Sequence, residues 1–586
     1  MPQTSFANNP VAPKRPTSSS TELIISDFSN ALPTSAMSAT PVQDKWLLIP
    51  YAGNEISGQM LWSPVRNNPP DLTIPLPKLG RCKIHIGIYA SGTWPWFFNL
   101  IGVYGQRSTW VRLRLRLSDA DFFDEINQNN HPEEERLGYI TETYWKTAEL
   151  NGQSLVISPP RKEGYKETTT FLAHIRLVPD AEPPAEADAW PASTKKLSAY
   201  FDSNYFGHYV DSAADVKSML SPLKDSDFNT IMWTTCREDS CYYPSKIGNP
   251  LPAECMTGVY PYWMGRDMKR MLDRGEDPLK VVCDVGHEMG LKVFASYRRM
   301  TCRMPPFVFP LHPEAMFMKR PDLWCADQNG GPIPHLSITY PEVRQRMIDL
   351  LVEQATNYDI DGVHLYFSRS VPFVYYEKPF LKTFKQLYGL DALTLPETDE
   401  RIGKARAACF NPLLRELRQA LDVVGKKRGR RFEIAMHAQN TVRNCLYYGI
   451  DVAQIAAEGL VDRFHPDTGA FLPAEMGDKD VSPAHTAEFV KLAKGTTMKI
   501  IPTWASGRNP GAAPATAQEY YALGVDGLDP GHSSPYSPTW QTQRRLGHQA
   551  DLATLASRAS EWERIVRFQT VAGMTIDLQT GVTTCG

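Results

Sequence analysis

The sequence predicts an α/β chain in which an antiparallel β-sandwich precedes a (β/α)8 TIM barrel. Three observations predict it. Between residues 44 and 179, short strands with alternating apolar positions are separated by Gly/Pro turns. From residue 197 onward, short apolar strands alternate with amphipathic helical segments, the order of a parallel sheet with crossovers. The third is the run Asp361-Gly-Val-His-Leu-Tyr-Phe-Ser-Arg369. Side chains alternate along a strand, so Val363 and Leu365 face one way and His364 and Tyr366 the other. One greasy face and one polar face is the form of a barrel strand that delivers groups to a pocket.

Size and composition bound the rest. With 586 residues and 42% hydrophobic content the chain can bury more than one core, and a barrel alone takes roughly 250 residues. A net charge of -3 argues against a general nucleic-acid binder, which would carry a basic face. Thirteen Trp and 25 Tyr suit stacking on sugar rings as well as filling large cores. None of the ten cysteines forms a CxxC pair, which excludes a zinc ribbon or thioredoxin-type site. Cys236 and Cys241 are close enough in sequence to bridge within one loop, reduced thiols being the simpler expectation. No apolar run reaches 18 residues, so no membrane partner is expected. No apolar leader is visible, so the cytoplasm is the expected location unless a leader has been removed.

Residues 1–43, rich in Pro, Ser, Thr, Asn and Ala, read as a disordered arm with one apolar patch at Leu23-Ile24-Ile25. Residues 44–179 read as the sandwich, either a carbohydrate-binding module or a lid that props the next domain. Its strands include 46–51, 82–89, 110–117 and 171–178. The run 110–117 sets three arginines on one face, which reads as a solvated sheet face rather than an anion site. Residues 180–194, rich in Pro, Ala, Glu and Asp, form a linker. The barrel is expected over 195–570. Its strands are 197–201, 230–234, 292–297, 362–367, 432–437, 461–465, 499–504 and 527–530. Its helices are 213–223, 264–289, 342–356, 411–426, 452–458, 483–493, 516–523 and 540–567. Residues 571–586 form a tail in which 574–578 is a strand returning to the sandwich.

A barrel's active site lies at the C-terminal ends of its strands. Those ends supply Asp202, then Trp233, Glu238 and Asp239, then Tyr297 with Arg298 and Arg299. The fourth strand supplies His364, Tyr366, Arg369 and, further out, Glu377; the remainder supply His437, His465, Asp467, Trp504, Asp529 and His532. Carboxylates beside aromatic rings are the parts that glycoside hydrolysis needs: one acid protonates the leaving oxygen, a second carboxylate attacks or activates water, and rings hold the sugar. Glu377, Asp202 and Asp529 are the catalytic candidates. Glu377 follows two tyrosines that could raise its pKa, Asp202 ends the first strand, and Asp529 points inward by alternation from Leu528. Two have a plainer role open to them: Glu377 as a loop cap or partner of Lys378 or Arg369, and Asp529 as an anchor for His437 or an arginine. Glu238 and Asp239 read as solvated loop charges, with Glu238 in reach of substrate. His364, Tyr366, Arg369, Trp233, Tyr297, His437, His465, Asp467, Trp504 and His532 complete the expected sugar-binding set. Asp361 and Asp526 precede glycines at strand starts, the wrong end for catalysis, and read as turn formers. No cofactor is expected. His437, His465 and Asp529 nevertheless permit a rival chemistry, because their types and places could hold a divalent metal. Metal-dependent barrels usually add a His-x-His pair on the first strand, where this chain has Tyr-Phe-Asp-Ser-Asn.

The run 361–369 resembles the Asp-Gly-Val-His-Leu-Asp-Tyr-x-Arg strand of the glycosyl-hydrolase-10-like barrels. Tyr376-Glu377, Phe384-Lys-Gln-Leu-Tyr-Gly389, His335-Leu-Ser-Ile-Thr-Tyr-Pro-Glu-Val-Arg344 and Tyr448-Gly-Ile-Asp451 are similar to segments of its large bacterial members that carry a β-sandwich in front. The resemblance implies a (β/α)8 barrel and hydrolysis of glycosidic bonds in a poly- or oligosaccharide. Two departures stand out: the acidic position of the fourth strand is Tyr366, and the last strand ends Pro530-Gly-His532 where relatives carry an aromatic followed by an acid. The departures imply either an acid/base pair built around Glu377 or a barrel that binds glycan without cleaving it.

Overall fold

The structure, a computed structural model, describes residues 22–64, 67–89, 110–128, 139–159, 168–180, 190–202, 210–250, 261–299, 314–369, 371–468, 476–477, 480–504, 512–531, 540–558, 562–572, 574–576 and 583–584. It is a mixed α/β molecule with two large hydrophobic cores.

The first core lies between two mainly antiparallel sheets. One has five strands in the order Leu23–Ile25, His174–Pro179, Gly80–Ile88, Tyr139–Leu150 and Glu563–Arg567. The other is built around Trp46–Ala52, Ser57–Pro64, Thr168–Leu172, Trp110–Leu117 and Ser154–Ser158. Alternation does what it should: Cys82, Ile84, Ile86 and Ile88 enter the core with Trp46, Trp62 and Trp145. The expectation of a disordered arm is corrected over its described part. Leu23–Ile25 pairs in register with Ile175 to Leu177, because its apolar residues pack partly against this core. Two of the arginines of the run 110–117 are partly covered. Arg114 and Arg116 are half-buried, their guanidinium groups 4.9 and 5.2 Å from the centre of the Phe123 ring. Arg116 Nη1 also donates to the carbonyls of Ser118 and Ala120.

The second core surrounds a sheet of parallel strands: β1 (Leu197–Phe201), β2 (Phe228–Arg237), β3 (Lys292–Arg298), β4 (Gly362–Tyr366), β5 (Glu433–Ala438), β6 (Arg463–Pro466) and β7 (Lys499–Ile500). Each pairs in parallel with the next. The expected eighth strand is reduced to two parallel bridges, Thr503 with Asp529 and Leu528 with Leu197. Ser198 N–H donates to Leu528 at 2.9 Å and Asp529 N–H to Pro502 at 2.9 Å, so the pairings return to β1 and the sheet forms a ring.

Residues alternate between the two sides of this ring. Val363, Leu365, Trp233, Tyr297 and Phe464 join the outer core against the helices. Tyr200, Met232, Phe294, Tyr366 and Ala435 form a separate cluster inside. Gly362 begins β4 because a Cβ there would lie 2.4 Å from the Glu433 carbonyl and 2.5 Å from the Phe294 ring. At the N-terminal end, aspartates repeat one device. The Oδ2 atoms of Asp361, Asp462 and Asp526 accept the backbone N–H of Val293 (2.8 Å), Ile434 (2.8 Å) and Ile500 (2.9 Å) on the preceding strand.

Helices cover the outside. The expected helix 264–289 is two, Pro261–Asp273 and Pro278–Glu288, because Asp277 caps the second by accepting from Leu279 and Lys280 and Pro278 begins it. The helix expected at 411–426 is far longer, Glu400–Arg428. The helix expected at 540–567 is absent. Trp540–Gln543 and Leu552–Leu555 are single turns, and Glu563–Arg567 is a strand paired with Tyr139–Leu150. Tertiary partners override the helical spacing: Asp227 accepts both the Gly547 N–H and the His548 ring N–H at 2.8 Å. Met574–Ile576 pairs with Thr570–Val571, which pairs with Trp46–Ala52, as the returning tail predicts. Among the described residues, no helix is long and apolar enough to cross a membrane.

Candidate active site

The C-terminal half of the ring interior is polar, and most of it comes from inward positions of β3 to β6. Ser296, His364, His437 and His465 lie side by side, each no more than 1% exposed. Ser296 Oγ is 2.7 Å from His364 Nδ1, and His364 Nε2 is 2.7 Å from His437 Nδ1. The His437 and His465 rings stack at 4.4 Å and 18°. His437 Nε2 lies 3.0 Å from Thr503 Oγ1 and 3.3 Å from Asp529 Oδ2, and His465 Nδ1 lies 3.8 Å from the same carboxylate oxygen. Neither nitrogen of His465 has a hydrogen-bond partner among the described residues, nor does Asp529 Oδ2. Each such group costs about 1–3 kcal/mol when left unpaired in a dry interior.

Burial holds His364 and His465 well below the ordinary histidine range, and His437 adds to the effect on both. Burial pushes Asp529 above the usual carboxylate range. Its contact with His437 and the Gly531 N–H oppose that shift, and the charge of Asp467 adds to it. Asp467 follows β6, its N–H bonded to the Ala438 carbonyl at 2.9 Å and its Oδ1 accepting the Thr468 N–H at 2.7 Å. Next to this cluster Tyr366 stacks on Tyr200 at 4.3 Å and 9°, and the Arg298 guanidinium lies 5.1 Å from the Tyr366 ring centre.

The remaining expected residues divide. Asp202 is gripped by Arg237 at 3.0 Å and by Arg298. Glu377 is buried and accepts from the hydroxyls of Ser337 and Thr339 and from the Tyr375 N–H; burial raises its pKa, and these hydrogen bonds oppose the shift. Glu238 and Asp239 are not solvated charges. Glu238 takes the Tyr297 hydroxyl at 2.9 Å and Arg299 Nε at 3.3 Å, and Asp239 takes Arg346 and the Met316 N–H. Both are buried because their partners arrive from distant segments. Trp233 and Tyr297 were expected to hold sugar; alternation instead turns them into the outer core, where Trp233 stacks on Phe201 at 5.4 Å. Trp504 packs on Tyr520 at 5.3 Å. Arg369 is half-buried beyond β4. His532 lies outside the described residues. Cys236 and Cys241 face each other across a hairpin as buried free thiols. Ser296 was missed; it is an inward residue on a strand already predicted, and alternation could have found it.

The family model described as glycosyl hydrolase-like 10 matches residues 190–497, more than half of the chain and the span that carries the histidine layer. The chain belongs to the glycosyl hydrolase-like 10 family. Solved structures similar to this glycosyl hydrolase-like 10 chain include α-L-fucosidase isoenzyme 2 from Paenibacillus thiaminolyticus. That match has 16% identity over 63% of this chain and a TM-score of 0.38, and spans half of the fucosidase chain (50%). The glycoside hydrolase domain of PgaB (BpsB) from Bordetella bronchiseptica matches at 11% identity over 62% of this chain and 98% of its own, with a TM-score of 0.38. A β-galactosidase from the psychrophilic Marinomonas ef1 matches at 9% identity over 62% of this chain and 59% of its own, with a TM-score of 0.37. No curated protein matches the glycosyl hydrolase-like 10 chain.

Proposed function

We propose that the chain is a glycoside hydrolase that cleaves a poly- or oligosaccharide at the C-terminal mouth of a (β/α)8 barrel, with the two-sheet unit propping that barrel as a β-sandwich. The observation that carries the reading is the placing of two buried carboxyls at the histidine layer: Asp529 in the eighth strand position, 3.3 Å from His437, and Asp467 directly after β6, its N–H bonded to the Ala438 carbonyl that follows His437. Cleavage of a glycosidic bond needs such a pair, one to move a proton and one to meet the developing cation or activate water. Asp467 takes the acid/base role here and Asp529 is the second carboxyl. Family membership supports the reaction class. Asp202, held by two arginines, and Glu377, held by two hydroxyls and an N–H, fit the role of fixing loops around the mouth rather than reacting.

The test is release of reducing ends from a panel of polysaccharides and oligosaccharides. Asp467→Asn is expected to lower turnover by about 10²–10⁴-fold, and Glu377→Gln far less. Full activity in Asp467→Asn removes this reading. A second reading, glycan binding without cleavage, is favoured by Tyr366. That position carries an acid in the resembling strands, and here its ring is packed between Tyr200 and Arg298. Tight binding to a glycan with no turnover, unchanged in Asp467→Asn, selects the second reading.

A further inference from the structure

We propose that His437, His465 and Asp529 form a binding site for one divalent transition-metal ion of the zinc class. One ligand atom from each residue can be chosen so that all lie within 4.8 Å of one another. Ligand atoms sit about 2.0–2.1 Å from a bound zinc, so a small closure of three adjacent side chains brings them around a single ion. The second, independent observation is His465. Its ring is fully buried, is aimed at the Asp529 carboxylate, and has neither nitrogen bonded among the described residues. Asp529 Oδ2 lies between the two imidazoles, 3.3 Å from His437 Nε2 and 3.8 Å from His465 Nδ1, with no hydrogen bond of good geometry to either. Buried polar atoms orphaned together in one small space are what an ion would satisfy.

The neighbours of the site also fit. His437 uses Nδ1 toward His364, whose own Nδ1 lies against Ser296 Oγ. With protons running His437 Nδ1–H to His364 Nε2 and His364 Nδ1–H to Ser296, His437 presents a bare Nε2 toward Asp529. A ligand histidine is oriented through its other nitrogen in this manner. Two imidazoles and one carboxylate suit zinc, cobalt or nickel; calcium and magnesium take oxygen donors. Three protein ligands leave a fourth position open for water or a sugar hydroxyl. The use of the ion in glycan cleavage rests on the proposed function; the site itself rests only on these side chains.

The test strips the full-length protein with EDTA, dialyses it against zinc chloride and then against metal-free buffer, and measures retained zinc. Wild type is expected to keep one zinc per chain, and His465→Ala and Asp529→Asn to lose it. Cobalt chloride is expected to give a visible absorption band that Asp529→Asn abolishes. Asp529→Asn conserves shape, and a far-UV circular dichroism spectrum like that of wild type confirms that it folds. If His465→Ala fails to fold, Asp529→Asn alone carries the comparison. Equal zinc in wild type and Asp529→Asn, or none in wild type, overturns the site. Retained zinc with no cleavage of any glycan upholds the site and removes the reading of its use. Cleavage by a protein that retains no zinc upholds the hydrolase and overturns the site.

Discussion

Asp361, Asp462 and Asp526 each close the N-terminal rim of the ring with one carboxylate and one neighbouring N–H, and Asp361 also meets His287 at 2.9 Å. Asp361→Ala strands the N–H of the fully buried Val293 and is expected to cost about 1–3 kcal/mol, read as a lower guanidinium midpoint. A second residue ties stability to pH. Burial pushes Glu142 up, but the bonds from His174 and Arg176 outweigh it and bring its pKa from 4.5 down to about 2. A carboxylate with a lowered folded pKa stabilises the protein above its unfolded value. That contribution disappears as pH falls from about 4.5 toward 2, a loss of roughly 3 kcal/mol when complete. Urea unfolding at pH 5 and pH 3 is expected to show the drop, with a shallower slope in Glu142→Gln. Residue roles were partly legible in the sequence. Strand alternation found His364, His437, His465 and Asp529, because it needs only neighbours in the chain. It did not find the burial of Glu238 and Asp239, because Arg299 and Arg346 reach them from other segments.

At the scale of elements, β4 is the most constrained. Gly362→Ala would set a methyl against the Glu433 carbonyl and the Phe294 ring, and backbone cannot yield as a flexible side chain does. It is expected to destabilise by more than about 3 kcal/mol, seen as a large fall in melting temperature. Caps are milder. Ser482 accepts the His485 N–H at 3.2 Å ahead of Pro483, so Ser482→Ala is expected to cost about 1 kcal/mol in the same assay. The elements readable in advance were those with both a periodic face and a local stop signal, such as Pro341–Asn357 and Pro483–Ala493. The stretch 540–567 had helical spacing at Trp540, Leu552 and Leu555, yet Asp227 captures Gly547 and His548, and the alternating Ile565 and Val566 pair into a distant sheet. No local signal carries that information.

Across the whole molecule, the two cores are sewn together by the chain's later residues. Glu563–Arg567 forms an edge of the five-stranded sheet, and Thr570–Val571 lies beside Trp46–Ala52. Removing residues 559–586 is expected to expose that edge and the Val571 and Phe568 side of the core, detected as faster proteolysis within residues 44–179 while the ring resists. The same stitching orders events during synthesis. The two-sheet unit leaves the ribosome before the ring and lacks an edge strand in each of its sheets until residues from 563 onward follow it. At about 5–20 residues per second, that leaves its unpaired edges open for tens of seconds. The growing polypeptide must therefore be kept from its neighbours on the polysome while the residues between 180 and 562 are made.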